Sequence, residues 1–193
     1  MFEDTLKSAK SGDEAAIGKL LLPFLPALTA FVRLRLHPQV TQRESPADVV
    51  QSICREVLDD LPQVRATEEV AFRSWLFSVA WNKVRNKHAY HNAEKRDIGK
   101  DLSGSVDYGM GEAAILASYG KAVTPSRDMA AGEEVARIEA AFGQLPELYR
   151  DVLLNVSIAG LSYAEAGRIA GKSEDAVRQL VHRARARLAT LLD

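Results

Sequence analysis

Residues 162–188 read SYAEAGRIAGKSEDAVRQLVHRARARL, and the local chemistry of this stretch decides the fold. Ser162 with Glu165 three positions on is a capping box, in which the serine hydroxyl and the glutamate carboxylate each satisfy a backbone N–H at a helix start. The helix so opened runs through Ile169 and stops at Gly171. Ser173 then caps a second helix whose first turn holds Glu174 and Asp175, favourable at the positive end of the helix dipole. Val177, Leu180, Val181, Ala184, Leu188 and Leu191 recur at helical spacing and give that helix one apolar stripe. A short capped helix, a glycine turn and a longer basic helix make a helix-turn-helix pattern. The last helix has a second face, where Arg178, His182 and Arg185 follow one another at i, i+4 and i+7 with Gln179 and Arg183 beside them. Arginine and glutamine can hydrogen-bond base edges bidentately in a major groove, and the remaining cations suit phosphates. Ser173, Arg178, Gln179, His182, Arg183 and Arg185 are the candidate DNA-binding residues of this segment.

Upstream, Val135, Ile138, Ala141, Phe142 and Leu145 predict a helix ending at Pro146, and Leu148, Val152, Leu153 and Val156 predict another, broken at Gly160. Between Asp97 and Gly132 the texture changes, with six glycines and Ser103, Ser105, Thr124-Pro125 and Ser126 interrupting the chain. Residues 97–131 read as a linker. Within it Glu112 to Tyr119 has two readings, a short helix docked through Ile115, Leu116 and Tyr119 or plain tether.

The N-terminal part is also helical in pattern. Residues 14–36 carry apolar positions at Ile17, Leu20, Leu21, Phe24, Leu25, Leu28, Phe31, Val32 and Leu36, with Pro23 and Pro26 as bends or breaks. Ser45-Pro46 reads as an N-cap and a first-turn proline opening a helix with Val49, Val50, Ile53, Val57, Leu58 and Leu61 on one side, stopped at Pro62. A third helix is predicted from about Glu69 to Tyr90, with Phe72, Leu76, Val79, Ala80 and Val84 inward. No alternating strand pattern occurs, so the fold class is all-α: two small helical domains, 1–96 and 132–193, joined by the linker.

With 193 residues, 47% hydrophobic and 26% charged, the chain is globular and long enough to bury a core. One cysteine excludes a disulfide framework and a cysteine-built zinc site, and Cys54 sits in an apolar helical face as a small hydrophobe. The polar, acidic start MFEDTLKSAKSGDE lacks the cations and apolar run of a signal peptide, and no run of 18 apolar residues is present. The reading is cytoplasmic, without membrane insertion. His88 and His91 form H-x-x-H with no third ligand, so no metal is expected. No phosphate loop, nucleophile elbow or paired-acid arrangement is found. The chain reads as a non-enzyme with no catalytic residues and no cofactor.

The net charge of −1 hides a strong alternation. Residues 44–69 hold seven acids and two bases, residues 73–96 six bases and one acid, and residues 168–188 six bases and two acids. Such a chain suits a polyanion at two places and a basic partner at a third. The basic block 73–96 is interleaved with Trp75, Phe77, Trp81, His88, Tyr90 and His91, and with Asn82, Asn86 and Asn92. Aromatics among cations make stacking platforms for unpaired bases. Trp75 reads as core, whereas Trp81 and Tyr90 are open between packing and stacking.

Taken together these stretches carry a resemblance. FRSWLFSVAWN at 72–82, continuing to Lys95-Arg96, resembles the promoter-melting, minus-10-reading segment of the extracytoplasmic-function (ECF) sigma factors of bacterial RNA polymerase, in the sigma-70 family. PADVVQSICREVLDDL at 46–61 resembles the helix by which that family grips the clamp helices of the polymerase's largest subunit, and residues 137–192 resemble its minus-35-reading domain. The matches are collinear. The resemblance implies a sigma factor that binds core RNA polymerase, flap included, and directs initiation at promoter DNA. It implies a minus-10 set of Trp81, Asn82, Lys83, Arg85, Asn86, Lys87, Tyr90, Lys95 and Arg96, and a polymerase-binding set of Asp48, Gln51, Ser52, Glu56, Asp59 and Asp60. An anti-sigma factor is the implied regulator; a kinase acting on Ser45 or Ser52, which bracket the acidic start of that helix, is another. The rival readings are a polymerase-independent helix-turn-helix regulator and a sigma-like interaction protein.

Overall fold

The computed structural model describes residues 1–36, 44–91, 119 and 129–192. Among them every regular element is helical. Helix α1 (Phe2–Lys10) is one the sequence reading did not predict; it turns Leu6 and Ala9 inward, and Lys10 Nζ ties it to the Val64 carbonyl. Helix α2 (Glu14–Leu21) is capped by Asp13, whose carboxylate accepts from Ala15 N at 2.9 Å. Pro23 and Pro26 act as expected: a 3-10 turn over Leu22–Phe24 separates α2 from α3 (Leu25–Arg35). The stretch Glu14–Arg35 has the length and apolarity of a membrane span. In the fold it is broken in three, and Leu20, Leu28, Phe31 and Val32 are buried.

Helix α4 (Pro46–Asp60) begins in the capping box of Ser45 and Asp48 and buries Val49, Ile53 and Val57. A 3-10 turn at Leu61–Gln63 ends it at the proline. Helix α5 (Glu69–His91) sends Phe72, Leu76, Phe77, Ala80 and Val84 inward, while Val79 is only half-buried. Its aromatic rings interlock with the first helices: Phe72 lies 5.8 Å from Phe2 and 5.7 Å from Phe24, and Phe77 lies 5.5 Å from Phe31. Trp75 is half-buried against Phe72, in keeping with a packing role.

The C-terminal half opens with α6 (Met129–Gly143) and, past Pro146, α7 (Glu147–Leu153). The chain then widens into a π-helical turn at Leu154–Ile158, closed by Ala159 N donating to the Leu154 carbonyl at 2.8 Å. Across the end of α7 and the start of this turn four consecutive residues, Val152 to Asn155, are buried. Helices α8 (Tyr163–Ala170) and α9 (Glu174–Leu192) follow.

The two halves meet along α3, which packs on α6 and on the π-helical turn. Arg33 Nε stands 2.7 Å from Glu139 Oε1, and the Tyr119 hydroxyl donates to the same oxygen at 2.5 Å. Tyr119 is fully buried, so this one described residue of the interval 97–128 is docked rather than free. Arg35, only 8% exposed, reaches Glu147 and Asp151, each at 3.2 Å, and lies over the Trp81 ring at 4.9 Å. Asp151 Oδ1 is close to Arg35 but outside hydrogen-bond alignment, so it gains charge contact without a directed bond. Burial pushes the Asp151 carboxyl up to about 6, against the pull of Arg35 and with Glu147 adding to the rise.

The direction of this shift fixes a pH dependence. The folded carboxyl keeps its proton to about pH 6, whereas an unfolded one releases it near 4, so the folded state binds more protons between these values and the group's contribution to stability falls as pH rises through that window. Asp151→Asn keeps the shape without the charge. Relative to the parent it is expected to gain about 1–3 kcal/mol between pH 4.5 and pH 7.5 in urea denaturation. A parent-to-variant difference independent of pH contradicts this account.

Candidate nucleic-acid interface

The helix-turn-helix forms as its caps dictate. Ser162 Oγ accepts from Glu165 N at 3.2 Å, and Glu165 Oε2 accepts from Ser162 N at 2.9 Å. Burial works to raise the Glu165 pKa, but the hydrogen bonds from Ser162, with one from Ser74 of α5, prevail and hold it below the ordinary value. Gly171 takes the left-handed conformation (φ +63°) that ends α8. Ser173 Oγ accepts from Ala176 N at 3.2 Å at the head of α9. The spacing between the two helices is set at Gly167, where a Cβ would lie 2.6 Å from the Lys172 carbonyl oxygen. Only glycine permits that approach.

Val177, Val181, Ala184 and Leu188 hold α9 against the core, so the opposite face is presented outward. Arg178, Gln179, His182 and Arg183 are exposed on it. Arg178 is not idle: its guanidinium pairs with Glu174 at 3.1 Å and Asp175 at 3.4 Å and lies over the Tyr163 ring at 5.6 Å. Tyr163 thus supports the arginine from α8, a role the sequence reading did not assign. Its only sequence signal is its place directly after the cap. Arg185 diverges from the group; it is half-buried, with Nη2 at 3.4 Å from the Ser157 hydroxyl in the π-helical turn.

On α5, Asn82, Arg85 and Asn86 are exposed along one side. Trp81 is half-buried, with Phe31 at 6.3 Å and Arg35 covering its ring. Lys83 turns instead to α4, where its Nζ stands 2.8 Å from Glu56 Oε2. Lys87 and Tyr90 fall within α5, but their side chains, like residues Lys95 and Arg96, lie outside the described residues.

Helix α4 presents Asp48, Gln51, Asp59 and Asp60 outward, with Leu58 an exposed apolar residue among them. Asp48 is occupied by the capping box: its Oδ2 accepts from Ser45 N at 3.1 Å and from Ser45 Oγ at 2.6 Å, and Ser45 holds its carboxyl below the ordinary value. Ser45 is therefore engaged in the helix start, and a phosphate there would meet the Asp48 carboxylate. Ser52 and Cys54 are half-buried, and loss of water pushes the Cys54 thiol up. Among the described residues no group of three or more His, Cys, Asp or Glu is placed to hold a metal ion.

Residues 136–188 match the family model "Sigma-70, region 4". The chain is 30% identical to the RNA polymerase sigma factor CnrH of Cupriavidus metallidurans over 96% of its own length and 91% of that protein. It is 28% identical to the ECF RNA polymerase sigma factor ShbA of Streptomyces griseus, over 96% of this chain and 92% of that one. Among solved structures, that of CnrH in complex with the cytosolic domain of CnrY superimposes with a TM-score of 0.62 at 26% identity, covering 99% of this chain and 96% of the other.

The approach at Gly167 gives a sharp contrast with a second helical glycine. Gly167→Ala must push the Lys172 carbonyl away and is expected to cost about 1–3 kcal/mol and to weaken DNA binding by displacing α9. Gly18→Ala, where a Cβ meets nothing within 4 Å, should gain about 0.5–1 kcal/mol through helix propensity. Thermal unfolding of both variants checks this, and equal effects of one sign would refute it.

Proposed function

The chain belongs to the ECF RNA polymerase sigma factors of the sigma-70 family, and from that premise we propose how its surfaces divide the work. As a sigma factor it directs promoter-specific initiation of transcription. Sigma factors are regulatory DNA-binding proteins. In our reading residues 132–193 form the minus-35 domain, residues 1–96 the domain for core polymerase and the minus-10 element, and residues 97–131 the connection.

The observation that carries the reading is the two-sided character of α9. Its apolar stripe is consumed by the core, which leaves Arg178, Gln179, His182 and Arg183 facing outward on a capped helix-turn-helix. In the major groove Arg178 and Gln179 contact base edges, and His182 and Arg183 take neighbouring positions on bases or phosphates. Ser173 combines its capping role with contact at the groove edge. Arg185 acts through the Ser157 contact, supporting the helix rather than meeting DNA. On α5, Asn82, Arg85, Asn86 and Tyr90 meet the non-template strand as it opens, with Trp81 as a stacking surface and Lys87, Lys95 and Arg96 on phosphates. On α4, Gln51, Asp59 and Asp60 with Leu58 form the docking face for the basic clamp helices of the polymerase. Glu56 and Lys83 join the docking helix to the melting helix. The protein works in the cytoplasm, where polymerase and promoter DNA are. CnrH is captured with the cytosolic domain of CnrY, and a polypeptide anti-sigma partner is the corresponding regulator proposed for this chain.

Run-off transcription with core polymerase on a genomic template tests the whole reading. The parent should select promoters that core alone ignores. Arg178→Ala should lose about 1–3 kcal/mol of discrimination at the minus-35 element, roughly 5- to 150-fold, with unchanged helical content. Asp59→Arg should weaken core binding, most at low salt; it is cleaner than a change at Asp48, which also closes the capping box. Tyr90→Ala should keep core binding while losing permanganate reactivity of promoter thymines. Parent-like selection by Arg178→Ala removes α9 from the minus-35 element.

A further inference from the structure

Arg178 differs from its neighbours on the outward face of α9 in being held. Its guanidinium meets Glu174 through Nη2 at 3.1 Å, Asp175 through Nη1 at 3.4 Å, and the Tyr163 ring at 5.6 Å. Among the described residues, Gln179, His182 and Arg183 make no side-chain hydrogen bond, ion pair or ring contact. The three partners of Arg178 are not alike. Glu174 and Asp175 belong to α9 itself, about one turn back, so they draw the guanidinium along the helix axis without fixing it sideways. They are 52% and 85% exposed, and ion pairs standing in water hold weakly. Tyr163 comes from another helix. It is the first residue of α8, directly after the Ser162 and Glu165 capping box, and it is half-buried against the core. Since the close approach of Gly167 to Lys172 sets the distance between α8 and α9, the ring is a fixed support beside a long side chain that would otherwise swivel.

We propose that Tyr163 is a positioning residue for promoter recognition: its ring carries the Arg178 guanidinium in the orientation from which that group reads a base edge, and so determines sequence preference without touching DNA. The inference deepens the reading of α9 as the minus-35 helix and rests on it. A bidentate contact requires two N–H groups of the planar cation to meet a base edge together. An arginine free to rotate along its whole stem satisfies this only by giving up that freedom on binding, and a support that orders it beforehand removes part of the cost. A tyrosine ring suits this task because it attracts the cation as a whole while offering no lone pair from its face to the five N–H donors. The exposed carboxylates do occupy donors. When Arg178 meets a base it exchanges Glu174 and Asp175 at little cost, whereas the ring, neutral and anchored in α8, stays where it is. The phenol oxygen has no part in the arrangement, so a bare phenyl ring serves equally well.

The test uses the full chain with core polymerase on a promoter that the parent selects, together with copies of that promoter changed at one minus-35 position at a time. Relative transcript from each copy gives a preference profile. Arg178→Ala marks the position that the arginine reads, as the one where preference is lost. Tyr163→Leu should lose preference at that same position by about fivefold, the low end for a bidentate contact, and change the other positions little. Tyr163→Phe should keep the parent's profile, and Tyr163→Leu combined with Arg178→Ala should be no worse than Arg178→Ala alone, because the two act as a unit. Circular dichroism monitors folding; should Tyr163→Leu lose helix, Tyr163→Met replaces it. Equal losses in Tyr163→Phe and Tyr163→Leu, uniform across positions and with a shallower salt dependence, are the mark of a hydroxyl on a phosphate and overturn the proposal. A uniform loss in Tyr163→Leu alone marks a merely structural ring and overturns it too. Loss of preference in Arg178→Ala without loss in Tyr163→Leu removes the positioning role and leaves the reading of α9 intact, whereas a parent-like profile in Arg178→Ala removes that reading and the positioning role with it.

Discussion

Helix α3 buries most of its length between the two halves of the chain, and the elements that contact it are placed by that burial. Leu28, Ala30, Phe31, Val32 and Leu34 are buried, and each large apolar side chain so enclosed contributes about 1.5–3 kcal/mol. A helix with apolar residues on so many sides needs neighbours on more than one of them. Here α4 and α5 cover it from the N-terminal half, and α6 with the π-helical turn covers it from the C-terminal half. Arg35 at its end is 8% exposed and is met by carboxylates and by the face of Trp81. The same packing sends the acidic side of α4 and the asparagine-rich side of α5 outward.

The recognition helix obeys a local version of this constraint. Its stripe of Val177, Val181, Ala184 and Leu188 fixes rotation about the axis, and the Gly167 approach to Lys172 fixes its distance from α8. Rotation and distance together decide which side chains project. Arg178, Gln179, His182 and Arg183 do, while Arg185 falls close enough to the π-helical turn to bond Ser157. A spacing of i, i+4 and i+7 alone would group Arg185 with Arg178 and His182; the neighbour supplied by a non-adjacent turn separates them.

What was legible in the sequence was what is written locally. The N-cap at Ser45, the capping box at Ser162, the prolines at 23, 26, 62 and 146, and the glycines at 160 and 171 set boundaries through nearest-neighbour chemistry, and the helices they delimit stand where the pattern put them. Helix α1 was missed because its polar run has only a few apolar residues, Phe2, Leu6 and Ala9, whose meaning depends on the groove they fill. The π-helical turn was read as plain helix, since nothing in LLNVS distinguishes an i→i+5 from an i→i+4 bond. The pairing of Arg33 with Glu139 spans 106 residues, a distance over which sequence carries no pairing signal. At the site, exposure of the α9 face was readable from the apolar stripe opposite it; the ties of Lys83 to Glu56 and of Asp48 to Ser45 were not, because each removes a charged group from an outward-facing set through a partner chosen by tertiary or cap geometry.

The ion pairs on the outward faces are of a different kind from those in the seam. Arg178 shares Glu174 and Asp175 while 58% exposed, and pairs of this sort contribute about 0–1 kcal/mol, because water and salt already serve both partners. Exchanging them for another charged partner therefore sacrifices little. In the seam Arg35 and Asp151, 8% and 17% exposed, have lost most of their water, so removing one leaves the other charge uncompensated and more costly.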